Sequence, residues 1–174
     1  MNDQELENTL NSIIELGNQL RAISDLDDRA VPSPAASKAD VQSLRTAIPD
    51  IPPSLLRVLS IYDGIESFEW ADISFRGCQY LKSNPDLERS WVEAGAAAPG
   101  ELLIFGESES DADVVAFLRS TARSDGEMEV VNFDSDGEIW RYPDLETCLA
   151  ERLEWFKQSL AAERADRANL SDDE

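Results

Sequence analysis

The residues of this 174-residue chain best equipped for chemistry are carboxylates. Asn132, Asp134, Asp136 and Gly137 occupy the first, third, fifth and sixth places of an EF-hand calcium loop. The twelfth place, which should hold a bidentate glutamate, falls on Pro143, and the flanking residues alternate as strands do. A hairpin turn is the better reading, because turns select Asp, Ser and Gly. Glu107 with Glu109, and Asp111 with Asp113, are pairs of the kind that glycosidases use as acid and base. With 36 acidic residues such pairs arise at any spacing by chance, and the 13 aromatics fall mostly at core positions rather than along a sugar cleft.

Other chemistries are excluded by what is missing. There is no histidine, so Ser/His/Asp and Cys/His triads and ordinary zinc sites cannot be built. Cys78 and Cys148 have no metal-ligand spacing and read as core thiols in a reducing cytosol. The eight glycines form no phosphate-binding loop. The expectation is a protein with no catalytic residue, no cofactor and no metal. The formal charge of -21 repels phosphate backbones and anionic lipid, so neither direct nucleic-acid nor membrane binding is expected. Met1 to Leu10 carries Asp3, Glu5 and Glu7 where a signal peptide has positive charge, and no apolar run reaches the roughly 20 residues that span a bilayer. A cytoplasmic location is expected.

The elements that must position these carboxylates follow from periodicity. Leu6, Leu10, Ile13, Gly17 and Leu20 lie on one face of a helix over 3–23, with Asn2 as its cap, and this helix is expected to dock on the main domain. Residues 24–38, with Pro32 and Pro34, read as a linker. Val41, Leu44 and Ile48 predict a short helix ending before Pro49, and Leu55, Val58, Leu59 and Tyr62 a second one, started by Pro52-Pro53 and stopped by Asp63-Gly64. Phe68 and Trp70, then Ile73 and Phe75, alternate as strands. Asn84-Pro85 predicts the cap of a helix carrying Leu87, Trp91 and Ala94. Leu102–Phe105 and Val114–Leu118 read as central strands covered on both faces, Met128–Phe133 and Ile139–Tyr142 as further strands. Asp144 caps a final helix through Leu145, Leu149, Leu153, Phe156 and Leu160. The fold class is α+β, a single domain with a largely antiparallel sheet packed against helices, plus an N-terminal helix on a linker. Its parts are a helix at 1–23, a linker at 24–38, the α+β domain at 39–162 and an acidic polar tail at 163–174.

The charge is unevenly placed. Residues 101–138 carry 11 acids and 2 bases, whereas residues 29–100 are near balance with 9 and 7. Glu107, Glu109, Asp111 and Asp113 flank one loop, and Asp134, Asp136 and Glu138 another. If both lie at one edge of the sheet they form an anionic surface that steers a basic partner, with association rates raised roughly 10 to 1000-fold at low salt. The competing reading is acidity as a compositional habit that serves solubility alone, consistent with only three lysines, Lys38, Lys82 and Lys157.

Residues 47–160 resemble the SUKH superfamily, the Smi/Knr type of domain. The resemblance rests on Ile48-Pro49 followed by "IPPSLL" at 51–56, on "LSIYDG" at 59–64, on "ELLIFGES" at 101–108, on "DVVAFLR" at 113–119, on "VVNFDSDGEIWRY" at 130–142, and on Trp155-Phe156 in the last helix. Ser108-Glu109-Ser110-Asp111 stands where the family often has a Gly-Asp step, and the N-terminal helix lies outside the resemblance. The resemblance implies non-catalytic binding. Bacterial members are similar to immunity proteins that neutralise toxins, often nucleases, and eukaryotic relatives to regulators of cell-wall synthesis. A basic partner of nuclease type, held by Glu107, Glu109, Asp111, Asp113, Asp134, Asp136 and Glu138, is therefore the leading expectation. The alternatives are a regulatory scaffold that makes contact through Leu6 to Ile23 and, behind it, a carboxylate-based hydrolase. Deleting residues 1–37 is expected to spare binding under the first reading and abolish it under the scaffold reading.

Overall fold

The structure is a computed structural model; it describes residues 1–24, 26, 29–68, 73–84, 87–93, 95, 97–108, 113–134 and 136–171. Among these residues the chain is an α+β fold whose strands β1 (Val31–Pro32), β2 (Ile65–Glu66), β3 (Ile73–Phe75), β4 (Leu102–Ser108), β5 (Val114–Leu118), β6 (Val130–Asp134) and β7 (Gly137–Tyr142) form one antiparallel sheet. Strand order in space equals order in the chain, so the sheet is a meander. Both edges are blunted. β1 has two residues, one of them a proline, and β7 carries a bulge, since Asn132 pairs with Trp140 and Phe133 with Glu138, leaving Ile139 unmatched.

The runs of apolar residues in β4 and β5 are explained by two covered faces. Leu103, Phe105, Val115, Phe117 and Val130 belong to the main core, and Phe68, Phe75, Phe105 and Phe117 stack across it with centroids 4.3, 5.1 and 4.6 Å apart. Leu102, Ile104, Val114, Ala116, Leu118, Val131 and Phe133 form a second core. It is covered by Leu87, Trp91 and Ala97, in the segment that carries the short helix α5 (Arg89–Glu93).

Helix α1 (Asp3–Ile23) begins with a reciprocal cap: Asn2 Oδ1 accepts the Glu5 N–H at 2.9 Å, and the Glu5 carboxylate accepts the Asn2 N–H at 2.8 Å. Its apolar face, Leu6, Leu10, Ile13 and Leu20, is fully inside the main core. It lies against α6 (Leu145–Ser171). Met1 meets Glu146, Gln19 meets Arg164 and the Ile23 carbonyl meets Arg167, at sequence separations of 145, 145 and 144, so the two helices run parallel. A Cβ at Gly17 would stand 3.3 Å from the Phe156 ring. This is where a glycine lets the helices close up.

The structure corrects several expectations. Residues 24–38 are more than a linker: Val31–Pro32 pair with β2, and Asn18 holds both the N–H and the carbonyl of Ala30, at 2.8 and 3.4 Å. The polar stretch after residue 162 is helical to Ser171, tied to α1 through Arg164 and Arg167 rather than by an apolar face. The proline-framed helices are α2 (Lys38–Ala47) and α3 (Pro53–Ile61), as periodicity predicts. Gly64, however, does not end α3; Tyr62 does, in an extended conformation. β6 and β7 are displaced by up to two residues from the predicted strands. Helix α4 (Cys78–Ser83) has no sequence signal, and Asn84 ends it instead of starting the next helix, its side chain donating to the Tyr80 carbonyl at 2.9 Å. Trp70 and Pro85 lie outside the described residues.

Candidate functional site: the acidic end of the sheet

Two hairpins bring the acidic loops together. Glu107 pairs with Val114, Val114 with Phe133 and Phe133 with Glu138, so one row across four strands ends both the β4–β5 and the β6–β7 hairpins. The turn at Asp134 to Gly137 and the connection at Ser108 to Asp113 therefore stand at the same end of the sheet. Glu109 and Asp111 fall outside the described residues.

The carboxylates at this end differ in what they are free to do. Glu107 accepts from Arg76 Nε at 3.2 Å, and both side chains are about four-fifths buried, at 21% and 19% exposure. Asp134 Oδ1 accepts the N–H groups of Asp136 and Gly137 at 2.8 and 3.0 Å, closing the turn. Glu138 holds Arg141 by two bonds, at 2.5 and 3.0 Å, and Arg141 also reaches Glu129 at 2.8 Å. The hydrogen bonds from Arg141 hold the Glu138 carboxyl below its ordinary range. Asp113 precedes β5 and is half-buried, whereas Asp136 is exposed. Two of the seven candidate residues are thus neutralised by arginines from the same chain, and a third builds the turn.

The calcium-loop pattern has a structural explanation. Asn132 is buried in the sheet and donates to the Val114 carbonyl at 3.0 Å, and an oxygen of Asp134 is spent on backbone N–H groups. Among the described residues no group of three or more Asp, Glu, Cys or His side chains is arranged to hold a metal. Cys78 and Cys148 are free and buried, and burial, with Asp63 nearby, pushes the Cys78 thiol up to about 12, which leaves it unreactive. No helix among the described residues is long and apolar enough to cross a membrane.

Part of the acid excess in 101–138 sits at the opposite end of the sheet, which residue counting does not reveal. Asp125, Glu127, Asp144 and Glu146 line a polar cleft with Arg123. Their roles are structural. Glu127 caps α3, taking the Ser54 N–H at 2.8 Å and hydroxyl at 2.5 Å, Glu146 pairs with Arg57 and the Met1 amine, and Asp144 caps α6 by accepting the Thr147 N–H at 2.8 Å. Burial alone would raise the Asp144 carboxyl, but the Thr147 bonds and Arg123 outweigh it and leave it below its ordinary value of 3.8. Its stabilisation is therefore complete above that value and lost as pH falls through the lowered one. Asp144→Ala should cost about 1 to 2 kcal/mol in urea unfolding at neutral pH. The gap to the parent protein should begin to narrow as pH falls below 3.8 and should close once it has passed the lowered value; a gap that does not narrow at all in acid would rule out the ionised cap.

No family model matches this chain, and a search of curated proteins finds no significant match.

Proposed function

We propose that this is a non-catalytic protein-binding module whose acidic sheet end docks on a basic protein, and that it acts as an immunity protein of the SUKH type, neutralising a nuclease-type toxin in the cytoplasm. The observation that carries the reading is the row Glu107, Val114, Phe133, Glu138, which gathers two acidic loops at one place. A nuclease surface is cationic because it holds phosphates, so an anionic face of this kind complements it. The buried thiols and the structural duties of the carboxylates at the other end favour binding over catalysis.

The test is a triple charge reversal, Glu109→Lys, Asp111→Lys and Asp136→Lys. Protein captured from the native host at low salt should be basic and should be released at high salt. Association with that protein should slow by about tenfold or more for the triple variant, at unchanged thermal melting. Unchanged association, or capture of partners without excess positive charge, would sink the proposed face.

A further inference from the structure

We infer that the cleft between the α2–α3 turn, the end of α4 and the start of β4 binds a small aliphatic primary carboxamide. The cleft has a volume of about 220 Å³ and lies by Leu102 and Arg119, at the end of the sheet away from the acidic hairpins. Ile48, Pro49, Leu81, Leu87 and Ile104 give it an apolar wall. Its volume falls just below the range of roughly 300–1,000 Å³ typical of drug-sized ligands, so a short aliphatic group is the right size.

The polar groups divide into spent and available. Glu88 is spent: its two oxygens take the Gly100 and Leu102 N–H groups at 2.7 and 3.0 Å. Arg119 gives Nε to Asp50 at 2.6 Å and Nη1 to the Gly100 and Leu102 carbonyls at 3.3 and 3.1 Å. These bonds brace the wall before any ligand arrives, which lowers the cost of binding. Arg119 Nη2 makes no hydrogen bond among the described residues, and Asp50, which pairs through Oδ2, is 46% exposed. The cleft thus offers a donor beside an acceptor, on two groups already in contact.

That pattern selects a ligand edge. A primary carboxamide carries its carbonyl and one N–H side by side, so the carbonyl accepts from Nη2 while the N–H donates to Asp50. A carboxylate has no donor for Asp50 and an ammonium has no acceptor for Nη2, so each satisfies one group and sets a like charge beside the other. A trans secondary amide, such as a peptide bond, points its carbonyl and N–H in opposite directions and cannot satisfy both. The chemistry fits a free small amide or a glutamine side chain.

Methyl chemical shifts in NMR titrations test this with 4-methylpentanamide, its N-methyl derivative, 4-methylpentanoate, and capped glutamine. Saturable shifts at Ile48, Leu81, Leu87 and Ile104 with the primary amide, at least tenfold weaker with the N-methyl derivative and the carboxylate, are expected. Equal binding by capped glutamine assigns the site to a side chain, and binding by the free amide alone assigns it to a small molecule. Asp50→Ala should weaken binding about tenfold, and Ala47→Trp, at an exposed position on the cleft rim, should block it without disturbing the core. Absence of saturation up to about 50 mM, or equal affinity for the N-methyl amide, or binding unaffected in both variants, overturns the inference.

Discussion

A chain lacking residues 1–24 should lose its cooperative thermal melt and bind hydrophobic dyes. α1 contributes Leu6, Leu10, Ile13 and Leu20 to the main core, each at most 5% exposed. Truncating one such side chain to alanine costs about 2 to 5 kcal/mol, whereas a whole domain is stable by only about 5 to 15 kcal/mol. Deleting the helix therefore removes more than the fold has to spare. It also strips the cover from Leu149, Phe156 and Leu160 on α6 and removes the buried Arg21, which donates to the Ser67 carbonyl at 2.5 Å. Circular dichroism of the shortened chain checks this directly; a sharp transition would show that α1 is an appendage. It follows that deletion of residues 1–37 cannot separate the two binding readings, because it disrupts the domain that both require. A scaffold contact made by the apolar face of α1 is unavailable for the same reason, since that face is buried.

Gly77→Ala should lower stability by about 3 kcal/mol, through overlap rather than backbone strain. A Cβ there would lie 2.4 Å from the Asp63 carbonyl oxygen and 2.8 Å from its Oδ1. Neither can retreat cheaply. The carbonyl is backbone, and Oδ1 accepts the Cys78 N–H at 2.6 Å, capping α4 from across the fold. Gly64, at φ +101°, completes the junction, with Gly77 N 3.1 Å from where its own Cβ would sit. Gly100→Ala is the control: an added Cβ meets nothing within 4 Å, so only the positive φ of +79° matters, at about 1 to 2 kcal/mol. Urea unfolding of the pair measures the difference. If the two variants match, the contact between Asp63 and Gly77 is not as tight as described.

The Asp63-Gly64 step shows why parts of this fold could not be read from the chain. Beside a proline-started helix it has the composition of a helix stop, yet Asp63 serves a helix fifteen residues later and Gly64 serves a backbone crossing. α4 was invisible because its cap comes from Asp63, not from a neighbour. The last turns of α6 have the composition of a tail because no apolar stripe runs through them; Arg164 and Arg167 attach them to α1 instead.

For the candidate site the division is similar. That residues 101–138 concentrate acid, and that Asp134 to Gly137 is a turn, is written in composition and local chemistry. The pairing of Glu107 with Arg76 and the grip of Arg141 on Glu138 are not, and they decide which charges at that end are compensated within the chain.

By itself the sequence determined the absence of histidine chemistry, the net charge, the buried face of α1 and the two-sided burial of β4 and β5, because each depends on residue type or on a period within one segment. Only the tertiary structure decided that α1 runs parallel to α6, that two acidic loops share one end of the sheet while other acids cap helices at the far end, and that Asp50 meets Arg119 across a cleft. Those depend on strand register and on contacts between distant segments, where the free energy of packing selects among pairings that local propensity leaves equal.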